Sequence, residues 1–100
     1  MNLSCIIIDD EADAIEVLGQ MLNIYCPDLT VVHSCPSIFE GLKAIRKYKP
    51  DLVFLDIAMP GGSGLELAQE IDPATTKIIF TTAFQSYSFH AIKSMHLIIY

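Results

Sequence analysis

Acidic side chains follow two apolar runs of the chain, at the point where each run ends. Asp9 and Asp10 come directly after residues 3–8, and Asp56 follows residues 52–55. If the two runs are neighbouring strands of a parallel sheet, these carboxylates meet at the edge where open α/β sheets bind ligands. Like charges gathered there raise the pKa of at least one carboxyl group. A hard cation relieves this repulsion, so the sequence predicts a Mg²⁺ site with a phosphoryl partner.

A hydroxyl group follows a third apolar run. Residues 78–80 are Ile-Ile-Phe, and Thr81 and Thr82 come next, before Ala83. If this run is also a strand of the sheet, its hydroxyl end lies at the same edge as the acids. The Thr82 hydroxyl is then placed to hydrogen-bond a phosphoryl oxygen.

Each of these features also has an ordinary structural explanation. The acids at 9–11 can serve as favourable charges at a helix N-terminus, and Asp56 can cap a turn before Pro60. Thr82 alone is typical of a strand end. The joint placement favours a ligand-binding site, because Asp9, Asp10 and Asp56 all stand at the carboxyl ends of predicted strands and none lies within one.

Strand and helix patterns alternate along the chain, which predicts a parallel α/β sheet with right-handed crossovers. Ser37 with Glu40, and Ser63 with Glu66, form capping-box patterns at two helix starts. The predicted strands are 3–8, 29–35, 52–55, 77 to 81 or 82, and the start of a fifth from 97. The predicted helices lie after 11, from 37, over 64–71 and over 86–95.

The composition limits the class of protein. One hundred residues, 52% hydrophobic, are typical of one packed domain. A net charge of −6 argues against direct binding of nucleic acid. The sequence has no glycine-rich phosphate-binding loop, so nucleotide binding is not favoured. No apolar run is long enough for a membrane span. Cys5, Cys26 and Cys35 lack metal-site spacing and are interpreted as thiols of a cytoplasmic protein, with Cys5 and Cys35 in the core.

The remaining polar residues are interpreted as structural. Lys43, Arg46, Lys47 and Lys49 lie on the outer face of the second predicted helix and are expected to be solvated. No histidine is paired with a Ser or Cys nucleophile, and none has the spacing of a metal ligand. The histidines are His33, His90 and His96.

The chain resembles the receiver domain of two-component response regulators over its whole length. The matching segments, in order, are 6–11 (IIIDDE), 51–64 (DLVFLDIAMPGGSG) and 79–83 (IFTTA). Residues 81–87 (TTAFQSY) and 91–93 (AIK) are similar to receivers attached to LytTR-type DNA-binding domains. The resemblance implies a flavodoxin-like doubly wound parallel sheet of order 2-1-3-4-5, with residues 1–100 as the receiver domain.

The resemblance also implies a role for each site residue. Asp56 matches the phosphoacceptor that takes a phosphoryl group from a histidine kinase or phosphotransfer protein, so the chain is a signalling module rather than an enzyme. Asp9 and Asp10 match the pair that holds Mg²⁺ together with Asp56 and the backbone carbonyl of Ala58. Two further matches are Thr82, the switch hydroxyl, and Ala83, the small residue that leaves room for the phosphoryl group.

One departure from the family pattern concerns the C-terminus. Receivers carry a Lys-Pro pair at the end of strand five, and this sequence ends at Tyr100, about two residues short of it. The pattern therefore indicates a receiver truncated near the start of strand five, without its last helix. Apolar surface left without that helix predicts self-association, as a homodimer or by exchange of the C-terminal segment.

Two other functions compete with the phosphoacceptor. A phosphate-independent receiver-like module would act through protein contacts alone, and the missing lysine favours it. A hydrolase of related build would use Asp56 as a nucleophile on small phosphorylated substrates. Against the hydrolase, the sequence has no cap segment, and Ala58 stands two residues after Asp56, where such an enzyme carries an acid.

Overall fold

A computed structural model describes residues 2–56, 59, 67, 69–82 and 96–99, with Thr82 and 96–99 described through their backbone. The helix predicted over 86–95 and most of the one predicted over 64–71 lie outside these residues, although Leu67 and Gln69 are helical. The elements are β1 (Leu3–Ile8), α1 (Ala12–Tyr25), β2 (Leu29–Cys35), α2 (Ile38–Tyr48), β3 (Leu52–Asp56), β4 (Lys77–Thr82) and β5 (His96–Ile99).

The strands form one sheet in the order β2-β1-β3-β4-β5, as predicted. β1 pairs in parallel with β2 and with β3, and β3 pairs in parallel with β4. The buried residues of β1, and those of β3 before Asp56, are apolar because helices cover both faces of a parallel sheet. The two central strands therefore bring the residues that follow them to one edge.

The predicted parallel direction of the fifth strand is wrong. β5 pairs antiparallel with β4, with Ile79 opposite Ile99 and Thr82 opposite His96. A short apolar run has the same alternation when read in either direction, so its composition does not encode the direction in which it pairs. The sheet therefore has four parallel strands and one antiparallel edge strand, which is common among doubly wound sheets.

Two apolar layers hold the sheet. α1 packs Leu18 and Leu22 against Cys5, Ile7 and Phe54 on one face. On the other face, α2 packs Ile38, Leu42 and Ile45 against a larger cluster around Ile6, Ile8, Val53, Leu55 and Phe80. Alternate residues of β1 and β3 thus enter opposite layers, which fixes the direction of the residue after each strand.

The start of α2 confirms its predicted cap. The backbone N–H of Glu40 donates to the Ser37 hydroxyl at 3.2 Å, and that hydroxyl contacts the Glu40 carboxylate at 3.4 Å. The helix ends at Tyr48, where Lys49 takes a left-handed conformation with φ of 46°. Among the described residues, no helix combines the length and the apolar character that crossing a membrane requires.

Candidate functional site

The two central strands place three carboxylates at the carboxyl edge of the sheet. Ile8 pairs with Leu55 across β1 and β3, so Asp9 and Asp56 follow neighbouring residues. One carboxylate oxygen from each of Asp9, Asp10 and Asp56 lies within 4.8 Å of the others. The structure therefore brings together the three acids that the sequence analysis grouped.

Backbone hydrogen bonds hold Asp9 in place as the chain leaves β1. Its N–H donates to the Cys35 carbonyl at 3.1 Å, and its side-chain Oδ1 accepts the Glu11 N–H at 2.9 Å. This is the Asx-type contact to the residue two positions on. It positions the Asp9 carboxylate and begins the turn into α1. This role of Glu11 was not predicted, although an aspartate two residues before the N-cap of a helix is a known signal for it.

Burial gives Asp9 an unusual protonation equilibrium. Its side chain is 8% exposed, and burial raises the pKa of its carboxyl group from 3.8 to about 7. The hydrogen bond from Glu11 opposes this rise, while the negative charges of Asp56 and Asp10 add to it. Burial and the neighbouring charges thus disfavour the ionised form of Asp9, and a bound cation would stabilise that form.

Asp56 is more firmly placed than the sequence predicted. The predicted strand ended at residue 55, but β3 includes Asp56, which pairs with Thr81 of β4. Asp56 is 7% exposed and Thr81 is 5% exposed. Because the backbone of Asp56 belongs to the sheet ladder, its carboxylate starts from a rigid position rather than from a loop.

The other predicted site residues are described in part. Thr82 is the last residue of β4 and directly follows Thr81, which pairs with Asp56. The backbone of Thr82 therefore lies at the edge of the sheet that carries the acids. Its side chain is outside the description. Ala58 and Ala83 lie outside the described residues altogether.

Comparison with known sequences agrees with this arrangement. The family model described as "Response regulator receiver domain" matches residues 5–97. An uncharacterized response regulatory protein of Shewanella oneidensis is 43% identical over 90 residues, which are 89% of this chain and 38% of that protein. The transcriptional regulatory protein BtsR of Escherichia coli K12 is 39% identical over 92 residues, which are 91% of this chain and 38% of that protein. The chain thus spans less than half the length of these relatives.

Solved structures show the same fold. A two-component response regulator of the LuxR family from Aurantimonas superposes with a TM-score of 0.76 at 23% identity, covering 94% of this chain and 69% of that one. A LuxR-family DNA-binding response regulator from Staphylococcus aureus superposes with a TM-score of 0.72 at 28% identity, covering 92% of this chain and 78% of that one. With the strand order, the acidic edge and the sequence match in agreement, the chain belongs to the response regulator receiver domain family, a module of two-component signalling.

Proposed function

We propose that this chain is a Mg²⁺-dependent phosphoacceptor, phosphorylated on Asp56 by a histidine kinase or a phosphotransfer protein. The observation that carries the proposal is the group of Asp9, Asp10 and Asp56 oxygens within 4.8 Å of one another. Asp56 sits at the tip of a central strand, where ligands of open α/β sheets bind. Asp9 and Asp10 stand beside it on the neighbouring strand end.

The donor set fits magnesium. Mg²⁺ takes oxygen ligands at 2.0–2.1 Å in octahedral geometry, so its ligand oxygens lie about 3–4 Å apart. The three carboxylate oxygens, all within 4.8 Å of one another, are near enough to share one ion after a small adjustment. The raised pKa of Asp9 supports the same assignment, because burial and, to a smaller extent, the negative charges of Asp56 and Asp10 disfavour its ionised form, which a cation would stabilise. Asp9, Asp10 and Asp56 would hold the ion, with the Ala58 carbonyl proposed as a further ligand. Bound there, the ion supplies charge neutralisation for the phosphoryl oxygens.

The transfer itself needs a positioned nucleophile. A carboxylate oxygen of Asp56 forms a bond to the phosphorus of a phosphohistidine, and the bond from phosphorus to the imidazole nitrogen breaks. The electron pair of the broken bond leaves with the imidazole, and Asp56 becomes an acyl phosphate. Thr82 would then donate a hydrogen bond to a phosphoryl oxygen, and the small side chain of Ala83 would leave room for it.

The wider role follows from the relatives. Because the chain spans 38% of proteins such as BtsR, we propose that residues 1–100 form the receiver part of a cytoplasmic regulator. One such relative is named a transcriptional regulatory protein, which fits the proposed pairing with a LytTR-type output. Self-association through the C-terminal part of the chain remains a proposal that sedimentation or light scattering would test.

The test is phosphorylation by a small donor. The chain is incubated with acetyl phosphate, with Mg²⁺ or with EDTA, and its intact mass is measured. The expected result is the mass of one added phosphoryl group in Mg²⁺ only, lost in Asp56→Asn and kept in Asp28→Asn, which removes an exposed carboxylate at the opposite edge. An unmodified wild type, or equal modification of Asp56→Asn, would contradict the proposal. The first outcome would favour the phosphate-independent binding module.

A further inference from the structure

A second surface of the molecule combines an edge strand with a basic cleft. β2 is the outermost strand of the sheet and pairs with β1 on one side. Its residues 30–34 are exposed. A cleft of about 430 Å³ opens between the end of β2 and the outer flank of α2, lined by His33, Cys35, Lys43, Lys47 and Tyr48, among others. This surface adjoins the acidic edge at Cys35, whose carbonyl accepts the Asp9 N–H, but it contains none of the three acids and belongs to no step proposed above.

The cleft concentrates positive charge on an otherwise acidic protein. Four of the six Lys and Arg residues of the chain lie within residues 43–49, and Lys43 and Lys47 both line the cleft. The Lys43 Nζ lies 4.5 Å from the centre of the exposed Phe39 ring, and the Lys47 Nζ lies 5.2 Å from that of Tyr48. Among the described residues, these ammonium groups contact rings rather than carboxylates, so their charge is available to a ligand.

One wall of the cleft joins the strand to the helix. The His33 ring of β2 stacks on the Tyr48 ring of α2, with centroids 5.4 Å apart and planes at 22°. Glu40 also lines the cleft, but its carboxylate is held at the helix cap by the Ser37 hydroxyl. A chain lying along β2 would therefore run past a flat aromatic wall and two lysine side chains.

The backbone of β2 limits where a partner can pair. The β1–β2 register shifts between Cys5 and Ile6, which pair with Val31 and His33, so Val32 is bulged. A bulge interrupts a ladder and twists the edge. The regular segment beyond it, residues 33–35, is the part beside the cleft. Strand addition is thus expected over a short segment, with affinity drawn from side chains as well as from backbone hydrogen bonds.

From this geometry we infer that the β2 edge and the α2 cleft together bind an extended acidic segment of a partner protein. The segment adds a short strand to β2, and its alternate carboxylates reach Lys43 and Lys47. A second copy of this chain fits less well, because β2 carries no Asp or Glu to place opposite these lysines.

The test uses a capped, fluorescent peptide as long as β2 that alternates glutamate with valine. Its binding is followed by anisotropy and by amide chemical shifts of the whole chain. Binding is expected to shift the amides of residues 33–35. Binding should weaken about tenfold in Lys43→Glu/Lys47→Glu, because two exposed ion pairs are replaced by repulsion between carboxylates. Binding to the wild type should also weaken as the salt concentration rises.

Matched controls separate this site from general attraction. Arg46→Glu/Lys77→Glu makes the same change of net charge at exposed positions outside the cleft and should retain most of the binding. A peptide N-methylated at alternate residues cannot form the ladder and should bind more weakly to the wild type.

Three results would overturn the inference. The first is equal weakening by the two double variants. The second is equal binding of the N-methylated peptide or of a lysine-valine peptide. The third is formation of a dimer through β2 that excludes the acidic peptide, which would assign this edge to a second copy.

Discussion

Replacing Asp9 with asparagine is expected to stabilise the Mg²⁺-free protein at neutral pH. The folded state raises the pKa of the Asp9 carboxyl group from 3.8 to about 7, with burial as the largest cause. Between these values the folded state keeps a proton that the unfolded state releases. The free energy of unfolding therefore falls as pH rises from about 4 to about 7, and the loss is complete above that.

The size of the effect follows from the interval between the two pKa values. At about 1.4 kcal/mol for each pH unit, the wild type loses about 4 kcal/mol at most. The asparagine side chain of Asp9→Asn would bury no charge, and its carbonyl oxygen can still accept the Glu11 N–H that Asp9 Oδ1 accepts at 2.9 Å. The variant should match the wild type near pH 4 and exceed it progressively up to pH 7.

Urea unfolding at a series of pH values measures this difference. Subtracting the wild-type curve from the Asp9→Asn curve cancels the titration of groups that both proteins share. Asp10→Asn should reduce the pH dependence only in part, because the charge of Asp10 contributes less to the Asp9 shift than burial does, and the exposed Asp28→Asn serves as the control variant. Saturating Mg²⁺ should stabilise the wild type, by about 2.7 kcal/mol at a concentration of 100 Kd, and should stabilise Asp9→Asn much less. A pH-independent difference for Asp9→Asn would refute the electrostatic account of the site.

Three further predictions concern the scaffold. Gly41→Ala should destabilise the protein by about 1–3 kcal/mol in urea unfolding, because a Cβ there would overlap Ile8 Cδ1, whereas Gly19→Ala meets nothing within 4 Å and should be neutral or stabilising. Thr76→Val should cost about 1–3 kcal/mol in the same assay, because the buried Thr76 hydroxyl donates to the Pro50 carbonyl at 2.7 Å; an effect below about 0.5 kcal/mol would contradict this. A thiol reagent at pH 8 should modify exposed Cys26 first, since burial raises the pKa of both other thiols to about 11, and equal rates for all three would contradict the packing.

The sequence predicted the parallel strands well for a physical reason. β1, β2 and β4 begin and end where expected because apolar runs are bounded there by acids, prolines or hydroxyls. The one-residue error at β3 arose because Asp56 is polar, whereas its backbone continues the ladder opposite Thr81. Polarity marks where the core ends, and hydrogen bonding marks where the strand ends, so the two boundaries need not coincide.

Other features of the structure could not be predicted from the pattern of apolar and polar residues. The antiparallel direction of β5 was not predictable, because a short apolar run carries no sign of the direction in which it pairs. The rise in the pKa of Asp9 was predicted as a consequence of like charges, but burial proved the larger cause. The basic run of α2 was interpreted as a solvated face, and its residues are exposed. The cleft beside β2 became visible only when the edge strand and the helix were placed together.

Locating the phosphoryl group on the chain tests the central claim most directly. After incubation with acetyl phosphate and Mg²⁺, borohydride reduces an aspartyl phosphate to homoserine, and tandem mass spectrometry of peptides identifies the modified residue. The account predicts homoserine at position 56, dependent on Mg²⁺ and strongly reduced in Asp9→Asn and Asp10→Asn. Homoserine at another aspartate, or at position 56 with equal yield in EDTA, would contradict the proposed roles of these three carboxylates.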